Sequence, residues 1–158
     1  MPLNNLIDGS YTVRITSDTA VVAAARTVDA VAATSKSESA TAQAEAATQD
    51  FAWFVATQPL QQKTLFAVPK GPAPTLHLVN DGAKDASLTL TSAAGDSKTV
   101  TVDAGATLAV SVDASEGYTL EGAAGLRASV SLTGNGLAAS FGLNPPGPLA
   151  QPITVYPK

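Results

Sequence analysis

The sequence predicts a mainly-β protein: an Ig-like antiparallel β-sandwich, preceded by a β-hairpin and an Ala/Ser/Thr-rich linker. Three observations carry this. From Pro69 onward apolar and polar residues alternate in short runs, as in "TLHLV", "SLTLT", "KTVTV" and "TLAVSV". Turn-forming clusters, "NDGAK", "SAAGDS", "DAG", "SEG" and "TGNG", separate the runs at short, even intervals. Threonine and valine dominate the runs themselves, and β-branched side chains suit a pleated, half-buried surface. Even spacing without intervening helix-length patterns points to a sandwich or barrel rather than a βαβ fold.

In chain order, Tyr11–Val28 is expected as a hairpin-like stretch, giving a first segment over 1–28 that is a remnant of, or an extension to, a preceding sandwich module. Residues 29–50, "DAVAATSKSESATAQAEAATQD", hold no large apolar side chain after Val31. They are expected as an exposed linker. The alternative is a short surface helix, capped by Ser35 and Glu38 but without an apolar face to dock. The sandwich is expected over 51–158. In "TLHLV", Leu76 and Leu78 face the core and His77 faces outward. Gly82 is expected to supply a positive φ in "NDGAK", and Asn135-Gly136 is a strong hairpin signal. "NPPGPLAQP" is expected to be extended because proline fixes its own φ and restricts its neighbour. Pro152 and Pro157 bracket a final edge-type strand.

Landmarks recur in the same order near both ends. "YTV" at Tyr11, then Ala52 and Phe54, "PLQQ" and "VPK" are echoed by "YTL" at Tyr118, Ala139 and Phe141, "PLAQ" and "YPK". The echo suggests tandem sandwich modules, with the chain beginning midway through one unit.

The residues "FAWF", "PTLHLVNDG", "TVDAGATLAVSV", "GYTL" and "PLAQPITVYP" resemble the C-terminal region of poorly characterised secreted envelope proteins of high-GC Gram-positive bacteria. Those proteins often carry the label "large extracellular alpha-helical protein". The resemblance covers the chain from about Phe51, together with the Tyr11 stretch. It implies export and repeated sandwiches, and it supplies no catalytic residues.

Composition narrows the function. Thirteen acids against nine bases give a net charge of −4, and without a Lys/Arg stripe a phosphate backbone finds no grip, so nucleic acid is not expected as a partner. Cysteine is absent, which removes disulfides, thiolate nucleophiles and thiolate metal sites. No apolar run approaches the roughly 20 residues of a membrane span. The opening "MPLNNLIDGSYTV" lacks signal-peptide character. Either the chain is cytosolic or its export signal lies elsewhere; the resemblance implies an extracellular or envelope location.

The candidate surface is "FAWF", which concentrates Phe51, Trp53 and Phe54 in a chain where aromatics are 5% of residues. On a strand, Phe51, Trp53 and Val55 share one face and Ala52 and Phe54 the other. Phe51 and Trp53 are expected in the core, with Phe54 over a seam to the N-terminal hairpin; the alternative is an aromatic platform for a sugar ring. His77, the only histidine, is expected as an exposed strand residue. Asp81, Asp85, Asp96, Asp103 and Asp113 fall one per turn, as aspartate does when it bonds nearby backbone. Neither they nor the pair Glu116 and Glu121 have the spacing of a calcium loop or a glycosidase. No catalytic residue, cofactor or metal is therefore expected. The function expected is a non-catalytic structural or adhesive module of a secreted or envelope protein, with neighbouring sandwich modules or an envelope protein as partner. The alternative is a carbohydrate- or cell-wall-binding module using Phe51, Trp53 and Phe54.

Overall fold

The computed structural model describes residues 6–7, 9–32 and 47–145. Ten strands follow one another: β1 (Ala24–Val31), β2 (Thr48–Val55), β3 (Lys63–Val68), β4 (Thr75–Val79), β5 (Ala86–Ser92), β6 (Ser97–Val102), β7 (Thr107–Ser111), β8 (Glu116–Glu121), β9 (Arg127–Gly134) and β10 (Leu137–Leu143). They form two four-stranded sheets, ordered β3-β8-β5-β6 and β10-β9-β4-β7, and a separate two-stranded ribbon β1-β2. Every ladder is antiparallel. The mainly-β sandwich read from the alternation is the architecture found.

The two four-stranded sheets share one core. Leu88, Leu90, Leu120, Val68 and Val102 from one meet Leu76, Leu78, Val130, Leu132 and Leu143 from the other. Leu76, Leu78, Leu120 and Val130 are fully buried. Each is one of a pair or triplet spaced by two, so one pleat face supplies the core and the intervening residues stay outside. Tyr118 joins the core with its ring stacked on Phe66 at 5.4 Å, and its hydroxyl accepts from the Asp113 amide at 2.7 Å.

The turns fit their residues. Asn135 and Gly136 both take positive φ, 56° and 72°, the two-residue hairpin geometry whose twist matches the flanking strands. In "NDGAK" the mechanism differs from the expectation, because Gly82 is not among the positive-φ glycines. Buried Asn80 organises this turn instead: its Oδ1 accepts from the Gly82 amide, and its Nδ2 donates to the carbonyls of Lys84 and Val102. An Asx turn thus replaces glycine's conformational freedom. Two other turn aspartates reach across to distant elements, not to nearby backbone. Asp85 accepts from the Ala104 amide, and Asp81 pairs with Arg127 at 3.3 Å.

The N-terminal part differs from the expected 1–28 hairpin and 29–50 linker. Among the described residues, 9–23 form no strand. The ribbon pairs β1 with β2, from Ala24↔Val55 to Val31↔Thr48, so both strands cross those boundaries. Pairing supplies what composition could not: residues on either side of the Ala/Ser-rich stretch satisfy each other's backbone groups. The Ser35–Glu38 capping box and the "PGPLAQPITVYPK" tail lie outside the described residues.

Candidate functional site: the outward face of the ribbon

The ribbon lies against the β10 side of the sandwich, and β2 runs in the same direction as β10. Asp50 Oδ2 accepts from the Ala138 amide at 3.0 Å, Ser140 Oγ donates to the Trp53 carbonyl at 2.8 Å, and the Gln58 amide donates to Asn144 Oδ1 at 2.9 Å. Asp29 Oδ2 accepts from the Gly136 amide at 3.0 Å. These side-chain bonds stand where a backbone ladder would otherwise form along the edge of β10. Close approach needs glycine at both ends of the contact. A Cβ at Gly136 would fall 2.7 Å from Thr48 Cβ, and one at Gly142 would fall 2.7 Å from Thr57 Cγ2.

Asp29 and Asp50 sit directly opposite each other across the ribbon, a like-charge pairing that is unfavourable by itself. Each carboxylate takes an amide of the β9-β10 hairpin, which offsets that repulsion. Hydrogen bonds from the Ala138 and Phe51 amides hold the Asp50 carboxyl below its ordinary value. The charged form is therefore the one that binds the sandwich.

The ribbon's inward face carries Ala25, Ala52 and Phe54. Ala52 is buried, and Phe54 meets the imidazole of His77 edge-to-face at 6.1 Å. His77 is on the outward phase of β4, as expected, but it is half-buried rather than exposed, because the ribbon and the N-terminal segment cover it. Its Nε2 lies 2.8 Å from Ser131 Oγ and its Nδ1 3.4 Å from Ser10 Oγ. Burial pushes its pKa below the ordinary histidine value. The Thr12 hydroxyl also bonds that of Thr107, so the N-terminal segment crosses β4 and β7 as a strap.

The opposite face of the ribbon corrects the expectation for the aromatic cluster. Phe51 is 47% exposed and Trp53 52% exposed, and neither enters the core. With Val28 and Val55, also about half exposed, they form an apolar stripe. The cross-strand register sets Val28 beside Phe51 and Arg26 beside Trp53. Phe51 and Trp53 meet at 6.4 Å with their planes at 87°, and the Arg26 guanidinium sits 4.6 Å from the Phe51 ring centroid. Cation–π and edge contacts of this kind contribute about 0.5–1 kcal/mol each at exposed sites. They brace Phe51 from two sides while Trp53 stays about half exposed. Phe54 is not part of this surface.

The two glutamates considered from sequence have structural partners. Glu121 bonds Lys63 at 2.8 Å, and Glu116 accepts from the Ala93 amide. The two carboxylates thus serve different contacts. Among the described residues no three His, Asp or Glu side chains gather as a metal ion would require.

A family model for DUF5719, described as a family of unknown function, matches residues 1–113. The chain belongs to the DUF5719 family. The match takes in the strap, the ribbon and strands β3 to β7, so the exposed stripe lies within the DUF5719 region. No curated protein and no solved structure matches the chain.

Proposed function

We propose that this DUF5719 chain is a non-catalytic structural or adhesive module of a secreted or cell-envelope protein, with the outward face of the ribbon as its contact surface. The observation that carries this reading is the side-by-side exposure of Phe51, Trp53, Val28 and Val55 on a ribbon fixed to the sandwich by Asp29 and Asp50. A large aromatic that could have been buried, but stands in water on a held strand, is the usual anchor of a protein contact. The envelope assignment is supported by the resemblance of "FAWF", "PTLHLVNDG" and "GYTL" to exported proteins of high-GC Gram-positive bacteria. Neighbouring sandwich modules are the partners this reading expects. Protease shaving of intact cells tests it: the protein should be cleaved while a cytosolic marker survives, and retention behind the membrane would refute the envelope assignment.

The exposure of Trp53 specifically favours a second reading, a carbohydrate- or cell-wall-binding module. With Phe51 turned perpendicular, the indole is the ring available to stack on a sugar. Titration with soluble peptidoglycan fragments distinguishes the two. Saturable quenching of Trp53 fluorescence would establish the glycan reading, and a flat titration would leave the protein-contact reading.

A further inference from the structure

The β9-β10 hairpin turns on Asn135-Gly136, the chain's only Asn-Gly pair. The Asn135 side chain is exposed, and glycine has no side chain to shield the amide nitrogen that follows it. In a flexible chain such a pair reacts with itself. The glycine nitrogen attacks the asparagine side-chain carbonyl carbon and closes a five-membered imide. As the new N–C bond forms, the side-chain nitrogen leaves as ammonia, taking the proton that the glycine amide gives up. Water then opens the ring at either carbonyl. The product is aspartate or, where the main chain comes to run through the side-chain carbon, isoaspartate.

The docked ribbon controls each requirement of this step. The ladder closes with Leu137 opposite Gly134, so the amides inside the turn have no ladder partner and would ordinarily face water. Here the Gly136 amide instead donates to Asp29 Oδ2 at 3.0 Å, and β1 thereby engages the proton that must be lost. Ring closure also requires the Asn135–Gly136 peptide to turn until its nitrogen meets the side-chain carbon. Thr48 of β2 opposes that movement. Gly136 is buried against it so closely that a Cβ would lie 2.7 Å from Thr48 Cβ and 2.8 Å from the Thr48 carbonyl oxygen. One ribbon strand holds the nucleophile by a hydrogen bond and the other by packing.

The dependence runs in both directions. Asp29 and Asp50 already bring two carboxylates to this hairpin, on the Gly136 and Ala138 amides. A third carboxylate at position 135 would stand one residue from the amide that Asp29 holds, and like charges so close repel. In isoaspartate the added main-chain carbon also breaks the two-residue turn and shifts the Gly136 amide away from Asp29. We infer that Asn135-Gly136 is a self-modifying deamidation site, kept unreacted by the docked ribbon, and that its conversion frees the ribbon irreversibly. The latch operates whatever the outward face of the ribbon binds.

Peptide mapping by mass spectrometry, on the full chain aged in mildly alkaline buffer, follows the amide-to-acid conversion at Asn135. The native chain should convert at least about tenfold more slowly than the same chain in urea, where the ribbon is undocked. Asp29→Ala should recover most of that factor, about what loss of a charge-assisted hydrogen bond allows, with the sandwich still folded by circular dichroism. Equal rates in buffer and urea, or a folded Asp29→Ala chain that converts no faster than the parent, would overturn the inference. A second variant does not depend on Asp29→Ala folding. Asn135→Gly accepts the positive φ and has no side-chain amide to lose. On ageing, amide exchange over Thr48–Val55 should rise about fivefold in the converted parent chain and stay constant in Asn135→Gly. Unchanged exchange in the converted chain, or an equal rise in both, would also overturn the inference.

Discussion

Two hairpins in this molecule carry the same landmarks and serve opposite ends. In β9-β10, Val130, Leu132 and Leu143 lie in the core, and the outward positions are small or polar: Ser129, Ser131, Ala138 and Ser140. In β1-β2, the inward positions other than Phe54 are small (Ala25, Thr27 and Ala52), and Phe51 and Trp53 point to solvent. The first hairpin is held by apolar burial. The second is held by hydrogen bonds from Asp29, Asp50 and Ser140, with Phe54 as its main apolar contact. The echoed tyrosines diverge likewise: Tyr118 is buried, whereas Tyr11 is 48% exposed and bonds the Ile7 carbonyl. Similar spacing thus yields a structural hairpin in one place and a presented one in the other, according to which pleat face carries the bulk.

If the contrast is right, substitutions in the two hairpins should differ in kind. Leu132→Ala should have the largest effect, a loss of about 2–5 kcal/mol in urea unfolding, as for other buried leucines. Next, Asp29→Asn combined with Asp50→Asn should loosen the ribbon while leaving the sandwich folded. The expected readout is faster amide exchange over Thr48–Val55 with an unchanged unfolding midpoint for the core.

The contrast should also sharpen with pH. His77 has a depressed pKa in the fold, so its contribution is present above the ordinary histidine range and declines as the pH drops below it. Asp50 is also depressed, so its contribution persists to lower pH and is lost below the ordinary carboxylate range. Ribbon protection followed by exchange should therefore fall in two steps on acidification. His77→Gln should remove the upper step, and Asp50→Asn the lower. Trp53→Ala should have the smallest effect on stability, within about 0.5 kcal/mol, while abolishing any partner contact made by the stripe.

The sandwich was legible because its strands have one apolar face each: Leu76 and Leu78 around His77, or Leu88 and Leu90 around Thr89, leave no doubt about which side is buried. The turn at Asn135-Gly136 was legible for a similarly local reason. The ribbon was legible only in part. Alternation correctly grouped Phe51 with Trp53 and Val55, but phase does not say which side turns inward when both sides are apolar. The deciding factor was close approach to β10, which favours Ala52 beneath the ribbon over an indole. Nor could spacing reveal the cover over His77, which comes from Ser10 and Phe54, or the amides of Gly136 and Ala138 bound by the two aspartates. Those contacts join residues 23 to 107 positions apart.

Because Trp53 is the sole tryptophan, its fluorescence tests the presented face most directly. The account predicts solvent-like, red-shifted emission from the native protein, readily quenched by acrylamide and changing little on unfolding. Blue-shifted native emission shielded from quencher would place the indole in a core and contradict it.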